Sequence, residues 1–353
     1  MATASLANGL VCPAPHAASD RVQLGHGSGG KMSAALLRDR FLPLFDNPVL
    51  RQLGDGAVVP VPTGEIAVST DTFVVSPIEF PGGNIGSLAV HGTVNDLAMM
   101  GARPRYLSAG FVLEEGLPFD VLDRVVAAMA EAVRSAGIIL VTGDTKVVER
   151  GRAEGLYVNT TGVGIMDARF RPRPDGVRPG DVLLVSGPIA RHGMAIMSAR
   201  EGIAFEAQIE SDSASLVPLV ERLREHVGSD VRALRDPTRG GVASALNELA
   251  AASGVGVVIE ERAVRIPGPV AAACEMLGLD PLYVANEGVL VAFVAPAAAP
   301  RALAALRSHP LGAEAEIAGR AVPDHAGLVA LRTLAGSTRV VDMLPGDQLP
   351  RIC

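Results

Sequence analysis

Short apolar runs alternate with helical patterns along this chain, and that alternation limits the fold more than any other feature. Between residues 21 and 166 the β-like runs are 65–69, 106–113, 138–142 and 156–163, and the helical patterns are 33–44, 88–100 and 119–136. Strand and helix periods that take turns in this way are typical of α/β or α+β domains. We therefore expect a mixed domain in this half.

A turn-rich segment divides the chain. Residues 167–181 (DARFRPRPDGVRPGD) are dense in proline, glycine and charge, which marks a domain boundary. A second mixed set follows, with strands at 182–186, 255–260 and 288–294 and helical patterns at 193–201, 214–226 and 242–252. A chain of 353 residues suits two packed domains. We predict a flexible leader at 1–20, domains at 21–166 and 167–341, and a mobile tail at 342–353.

Composition excludes several classes of protein. The net charge is -7 without a long basic run, which disfavours nucleic-acid binding. No apolar stretch has the roughly 18 residues that a membrane helix needs. The first twenty residues lack the features of a secretory signal. Three cysteines at unrelated spacings argue against a disulfide framework or a zinc site and indicate a cytoplasmic protein.

A glycine-rich loop, GHGSGGK, ends at Lys31 and precedes a helical pattern. Exposed backbone amides and this lysine could meet phosphates there. The spacing satisfies G-x-x-x-x-G-K, but Met32 replaces the hydroxyl residue of a Walker A loop. A plain glycine turn is the alternative.

Aspartates recur after apolar or glycine-rich segments. Asp71 and Asp144 are expected to close strands, where carboxylates can present oxygen ligands to a hard cation. Converging carboxylates would repel one another without magnesium between them. A turn former or helix cap is the alternative for any single member. The set is Asp55, Asp71, Asp96, Asp144 and Asp236.

The chain ends in PRIC, which places a thiol on the last residue, Cys353. Pro345, Gly346 and Pro350 disfavour helix, so the tail is expected to be extended and mobile. Arg351 favours the thiolate. An incidental exposed cysteine is the alternative, whereas Cys274 has the pattern of a buried helix residue.

Together these segments resemble one family. HGSGGKM, STDTFVVSP, PGGNIGSLAVHGTVNDLAMMGARP, VTGDTKVVERG, LRDPTRGG, NEG and PRIC are similar to the HypE family of hydrogenase maturation factors, the carbamoyl dehydratases. The resemblance spans about residues 22–353. It implies a two-domain α/β fold of the aminoimidazole ribonucleotide synthetase and selenophosphate synthetase superfamily, a PurM-like ATP-binding fold, and a homodimer built through the N-terminal domains.

The resemblance also implies the chemistry. The terminal cysteine would receive a carbamoyl group from HypF, ATP would drive its dehydration to a thiocyanate, and the HypC–HypD complex would accept the cyanide. Magnesium held by the five aspartates, with Lys31 on the phosphates, would support phosphoryl transfer. Asn95 and Thr145 would also contact the nucleotide.

Three side chains are the expected catalytic partners of Cys353. Glu287, in Asn286-Glu287-Gly288, is the candidate base that removes protons from the amide. Lys146 and His91 match polar positions of the family's active region and would orient the amide or stabilise developing charge. The alternative for His91 is a packed helix histidine.

Other functions stay open at this point. Selenophosphate synthetase would need cysteine or selenocysteine in the glycine-rich loop, which has only His26 and Ser28. Aminoimidazole ribonucleotide synthetase has no need of a terminal cysteine. A scaffold without activity would tolerate Asp55→Asn or Asp144→Asn, whereas a phosphoryl-transfer enzyme would not.

Overall fold

A computed structural model describes residues 20–27, 31–52, 59, 61–62, 64–202, 208–343, 349 and 351–353. The leader prediction therefore lies outside the described residues except for Asp20. Elements of the first half are α1 (Lys31–Leu36), α2 (Leu42–Phe45), β1 (Ile66–Phe73), β2 (Glu79–Phe80), β3 (Gly83–Asn84), α3 (Ile85–Met99), β4 (Ala102–Glu114), α4 (Phe119–Ser135), β5 (Ile139–Val148) and β6 (Leu156–Met166).

The first half is built on a four-stranded sheet in the order β1-β6-β4-β5. β6 is antiparallel to β1 and to β4, whereas β4 and β5 are parallel. Helix α3 packs on one face of this sheet, with α4 beside it. We call the face under α3 the covered face and the opposite one the open face.

The second half forms a mixed seven-stranded sheet in the order β13-β12-β9-β11-β7-β10-β8. Only β9 and β12 pair in parallel among its strands. Its elements are β7 (Val182–Val185), α5 (Arg191–Glu201), α6 (Val217–His226), β8 (Val231–Arg235), α7 (Gly241–Ser253), β9 (Gly256–Glu260), α8 (Gly268–Leu277), β10 (Val291–Val294), α9 (Ala299–Arg307), β11 (Glu316–Val322), β12 (Val329–Arg332) and β13 (Thr338–Val340).

Helix α3 joins the two halves. It begins at a capping box in which Asn84 accepts from the backbone amides of Gly86 and Ser87, and the Ser87 hydroxyl accepts from the Asn84 amide. Nearly all of its residues are buried, because it packs against the first sheet and also against α6 and β8 of the second half. Burial on nearly every side, with the polar residues facing partners in the other half, is what such an interior position requires.

The expected two-domain α/β architecture is confirmed, and the two sheets lie on either side of residues 167–181. Two strands run further than their apolar runs suggest. β1 continues to Phe73 and β5 to Val148, so Asp71 and Asp144 lie inside strands and do not close them. None of the described helices is long and apolar enough to cross a membrane.

Candidate functional site

One face of α3 points at a loop of the second half, residues 208–216. His91 and Asn95 are one helical turn apart and therefore share this face. The Nδ1 atom of His91 lies 3.0 Å from the Ser213 hydroxyl. Asn95 donates to the Ala214 carbonyl at 3.0 Å and accepts from the Leu216 amide at 2.7 Å. Because its amide is buried with protein partners, Asn95 joins the two domains, and its role as a nucleotide contact stays a prediction.

Four carboxyl groups from separate segments meet between the domains, and we call them the acidic cluster: Asp71 on β1, Asp96 on α3, Asp236 after β8, and Glu287. Burial, followed by the charge of Asp96, raises the pKa of Asp71 to about 6, while Arg239 opposes the rise. Burial and the same neighbour raise the pKa of Asp236 to about 7. These mutual effects show that the four groups share one electrostatic environment.

Glu287 is the most deeply placed member, with 2% of its surface exposed. Burial raises its pKa well above the ordinary value, and the charges of Asp236 and Asp212 add to the rise. Its backbone amide donates to the Asp212 carboxylate at 3.2 Å. A Cβ atom on the next residue, Gly288, would lie 1.7 Å from the Asp212 carbonyl oxygen, so only glycine lets the loop approach this closely.

Asn286 holds Glu287 in place from the other side. Its side chain accepts from the Ala190 amide at 2.7 Å and donates to the Pro237 carbonyl at 2.9 Å. It therefore links the loop before α5 to the loop that carries Asp236. A fully satisfied buried amide of this kind fixes the geometry of its neighbours.

Two members of the acidic cluster, Asp71 and Asp96, suit a divalent cation. Among the described residues no group of three His, Cys, Asp or Glu side chains is arranged to hold a metal ion. Asp71 and Asp96, however, lie within hydrogen-bonding reach of each other, and their repulsion raises the pKa of Asp71. Magnesium commonly takes one or two carboxylates together with substrate phosphates, so this pair suffices for such a site.

Asp144 and Lys146 lie on the open face. Asp144 pairs in register with Gly110 and through it with Asn159 and Thr72, one rung away from the rung of Asp71. Neighbouring rungs point to opposite sides of a sheet. Within one chain Asp144 therefore lies on the side of the sheet opposite Asp71, and its role as a metal ligand stays a prediction. Its carboxylate lies 3.3 Å from the Lys146 ammonium group, and both side chains are about two-thirds exposed.

Three further residues are predicted to contact the nucleotide: Thr145, Lys31 and Asp55. Thr145 lies on the covered face, and its backbone amide donates to the Asp144 carboxylate at 2.8 Å. Lys31 begins α1, but its side chain is not among those described. Asp55 lies outside the described residues. The roles of these three residues stay predictions.

The end of the chain lies against both domains. The Val74 amide donates to the Cys353 carbonyl at 3.2 Å, and the Ser76 amide donates to the Arg351 carbonyl at 3.3 Å, so the tail pairs with the segment after β1. Ile352 is buried. The expected mobile arm is thus docked in this structure, and its mobility stays a prediction. Gly346 and Pro350 lie outside the described residues.

Several residues of the site carry no sequence signal that marks them in advance. His192 and Arg200 of α5 bind the tail carbonyls of Ile352 and Arg351. Asp212 contacts the backbone of Glu287. Arg239 belongs to the LRDPTRGG segment, which is one of the motifs that carry the family resemblance.

Comparison with known proteins shows which family this chain resembles. Residues 53–166 match the family "AIR synthase related protein, N-terminal domain", and residues 178–331 match "AIR synthase related protein, C-terminal domain". Carbamoyl dehydratase HypE of Cupriavidus necator is 53% identical over 336 residues, which cover 95% of each chain.

Solved structures agree with this placement. A crystal structure of hydrogenase maturation protein HypE in complex with ATP superposes with a TM-score of 0.91 at 50% identity, covering 94% of this chain and 99% of that one. A HypE–HypF complex superposes with a TM-score of 0.77 at 44% identity, covering 88% and 100%. With half of its residues identical over nearly its whole length, and with the same two domains, the chain belongs to the HypE carbamoyl dehydratase family.

Proposed function

We propose that this chain carries a carbamoyl group on Cys353 and dehydrates it to a thiocyanate in an ATP-dependent reaction, supplying the cyanide ligands of a nickel–iron hydrogenase. The docked tail carries this proposal. It pairs with residues 74–76, which directly follow the strand that bears Asp71 of the acidic cluster, so the backbone of Cys353 is bound to the segment that continues from this strand.

The chemistry explains why ATP is needed. A carboxamide oxygen is a poor leaving group, and transfer of the terminal phosphoryl group of ATP to that oxygen releases ADP. The carbon–oxygen bond then breaks with departure of phosphate, while both amide protons leave and the carbon–nitrogen triple bond forms. The elements of water are lost from the protein and appear in the phosphate. Such a reaction depends on positioning and charge neutralisation. A relative that was solved in complex with ATP supports nucleotide binding by this chain.

The acidic cluster is the proposed phosphate end of the site. A magnesium ion, when bound, would neutralise phosphate charge. Asp71 and Asp96 are placed to hold it, and Arg239 adds positive charge beside Asp71. Asp236 lies close enough for the charge of Asp96 to raise its pKa. Lys31 and Asp55 are proposed to complete the nucleotide contacts.

Glu287 is the proposed base. Its buried carboxyl has a raised pKa, which makes its anion a stronger proton acceptor than an exposed glutamate. His91 is buried enough that its pKa falls to about 4, so the ring stays neutral and can accept or donate a hydrogen bond to the amide. Both residues border the loop at 208–216.

A homodimer would complete the site. The open face exposes Ile66, Val68, Val112 and Ile139, an apolar surface that β4, β5 and β1 share with Lys146. A second copy packed there would cover these side chains. Because Lys146 and Asp144 point away from their own acidic cluster, we propose that they act in the site of the partner subunit.

The tail must leave its docked position during the cycle. A HypE–HypF complex is known among relatives, so we propose HypF as the carbamoyl donor and HypC–HypD as the cyanide acceptor. A thiol that must stay reduced between these encounters suits the cytoplasm.

Intact mass after cyanate treatment tests the proposal, because cyanate carbamoylates thiols. On addition of Mg-ATP the protein should lose the mass of one water, localised by peptide mapping to the C-terminal peptide. Cys353→Ala should show no such loss. A carbamoylated wild-type protein that binds ATP and keeps its mass would contradict the dehydratase function.

A further inference from the structure

His192 is a buried polar residue that the proposed reaction does not use. It lies in the first turn of α5 with 0% of its surface exposed, and its ring meets the edge of Phe80 at 5.6 Å between centroids. Both ring nitrogens have partners. Nε2 lies 2.9 Å from the Ile352 carbonyl oxygen and Nδ1 lies 2.8 Å from the Ser211 hydroxyl.

These contacts set the direction of the hydrogen bonds. A carbonyl oxygen only accepts, so Nε2 carries the proton and donates to Ile352. Burial lowers the pKa of His192 to about 4, which leaves the ring neutral and Nδ1 an acceptor. The Ser211 hydroxyl therefore donates to Nδ1. In turn its oxygen accepts from the Ser213 amide at 3.0 Å.

The same short segment reaches two proposed catalytic side chains. The Ser213 hydroxyl lies 3.0 Å from Nδ1 of His91. Between the two serines, the Asp212 carboxylate accepts from the Glu287 amide at 3.2 Å. Residues 211–213 thus lie between the tail carbonyl on one side and His91 and Glu287 on the other.

We propose that His192 and Ser211 are positioning residues that couple docking of the tail to the arrangement of His91 and Glu287. When the tail leaves, the Nε2 donor of a fully buried ring loses its partner, and the ring is no longer held in the tautomer and position that orient Ser211. When the tail docks, the chain from Ile352 through His192, Ser211 and Ser213 to His91 is complete. This inference rests on the proposed function, since it concerns how Cys353 and the catalytic groups come into place together.

Arg200 offers a matched control. It donates to the Arg351 carbonyl at 2.7 Å and to the Ser76 carbonyl, so it also holds the tail, but the hydrogen bonds described for it do not reach residues 211–213. Ser211 is the complementary case, because it contacts His192 and none of its described hydrogen bonds reaches the described tail residues 349 and 351–353. Variants at the two positions separate docking from coupling.

Two measurements define the test. The alkylation rate of Cys353 in the unmodified protein, followed by peptide mapping, reports docking. The single-turnover rate of water loss from the carbamoylated protein with saturating Mg-ATP reports chemistry. His192→Phe should raise the first and lower the second, each by about tenfold, because a buried hydrogen bond is lost. His192→Gln, which keeps an amide donor, should restore part of both.

The coupling itself is tested by the controls. Ser211→Ala should leave alkylation unchanged and still slow water loss by about fivefold or more. Arg200→Ala should raise alkylation and slow water loss only in proportion to the docking that is lost. Normal water loss in Ser211→Ala would overturn the coupling. If both His192 variants fold and their Cys353 is alkylated at the wild-type rate, His192 has no role in docking. If His192→Phe does not fold, a wild-type alkylation rate in His192→Gln alone leads to the same conclusion.

Failure of this inference is distinct from failure of the proposed function. If wild-type protein loses no water with Mg-ATP, the dehydratase proposal fails, and the alkylation rates still decide whether His192 holds the tail. If wild-type protein reacts and neither His192→Gln nor Ser211→Ala changes its rate, only the present inference fails.

Discussion

Asp71 and Asp144 are one rung apart in the same sheet and have opposite surroundings. Asp71, on the covered face, is partly buried beside Asp96, and its pKa rises to about 6. Asp144, on the open face, is about 70% exposed and pairs with Lys146. The alternation of side chains along strands separates two carboxylates for which the sequence predicts one role. Under the proposed function, one chain holds two parts of a site that a second chain unites.

The largest effect is expected at the covered face. Glu287→Gln keeps the shape of a buried side chain but removes the proposed base, so single-turnover water loss should slow by about 10²–10⁴-fold. Nucleotide binding and thermal unfolding should change little. Glu275→Gln, on the exposed side of α8, is the matched control and should react at the wild-type rate. A Glu287→Gln rate within a few-fold of wild type would assign the proton transfers to another group.

The open face can be tested by complementation. Lys146→Ala should also slow water loss strongly, by about 10²-fold, because a positioned charge is removed from the site. If Lys146 acts in the partner subunit, mixing Lys146→Ala with Glu287→Gln chains restores one intact site in each mixed dimer. The two chains differ in mass, so intact mass identifies which one loses water.

The result of mixing discriminates between the two arrangements. Action across the dimer predicts that the Lys146→Ala chain, which keeps Glu287, is the one dehydrated. Action of Lys146 within its own chain predicts no recovery, because neither chain then has both groups. Only the first outcome agrees with the proposal that the open face of one chain acts in the site of its partner.

A charge on the open face should weaken the proposed dimer. Val68 is 60% exposed in the single chain, and Val68→Lys would place an ammonium group in the apolar contact, raising the dimer dissociation constant by about tenfold or more. Leu334→Lys is a fair control, because Leu334 is equally apolar and 76% exposed but lies beyond β12 in the other domain. Light scattering across a dilution series measures both. Unchanged association of Val68→Lys would remove the open face as the interface.

Part of the difference between the two faces could be predicted from the sequence. The run 138–142 was predicted to end before Gly143 and Asp144, residue types that are uncommon in strands. β5 instead continues to Val148, because its parallel pairing with β4 stabilises the extension. With the strand extended, alternation places Asp144 and Lys146 on one face, and the pairing registers across the sheet, which the sequence does not show, place that face opposite Asp71.

Contacts between distant parts of the chain could not be predicted from the local sequence pattern. The helix with His91 and Asn95 and the NEG segment stood out as motifs, and the structure brings both to the loop at 208–216. His192 is separated from Ile352 by 160 residues, and the strand-like pairing of the tail with residues 74–76 is a contact between chain regions. Periodicity reports neighbours along a helix or strand, so it could not predict either contact.

The smallest effect concerns stability and pH at the covered face. The folded-state pKa of Asp236 is about 7 against an ordinary value of 3.8, so the folded protein binds more protons than the unfolded protein between these limits. The favourable contribution is therefore present below the ordinary value and is lost as pH rises toward 7. His91 and His192, lowered to about 4, act in the opposite sense and lose stability as pH falls below 6.5.

Substitution isolates the carboxyl contribution. On going from about pH 5 to about pH 7.5 without metal ions, Asp236→Asn should gain about 2–3 kcal/mol of unfolding free energy relative to wild type, measured by denaturant titration. The histidine contributions cancel in this difference, because both proteins contain them. Asp144→Asn should show no such gain, since its side chain is exposed to solvent. If the unfolding free energies of the two variants depend on pH equally, the two faces do not differ electrostatically. The proposal that the acidic cluster binds a cation would then lose its electrostatic support.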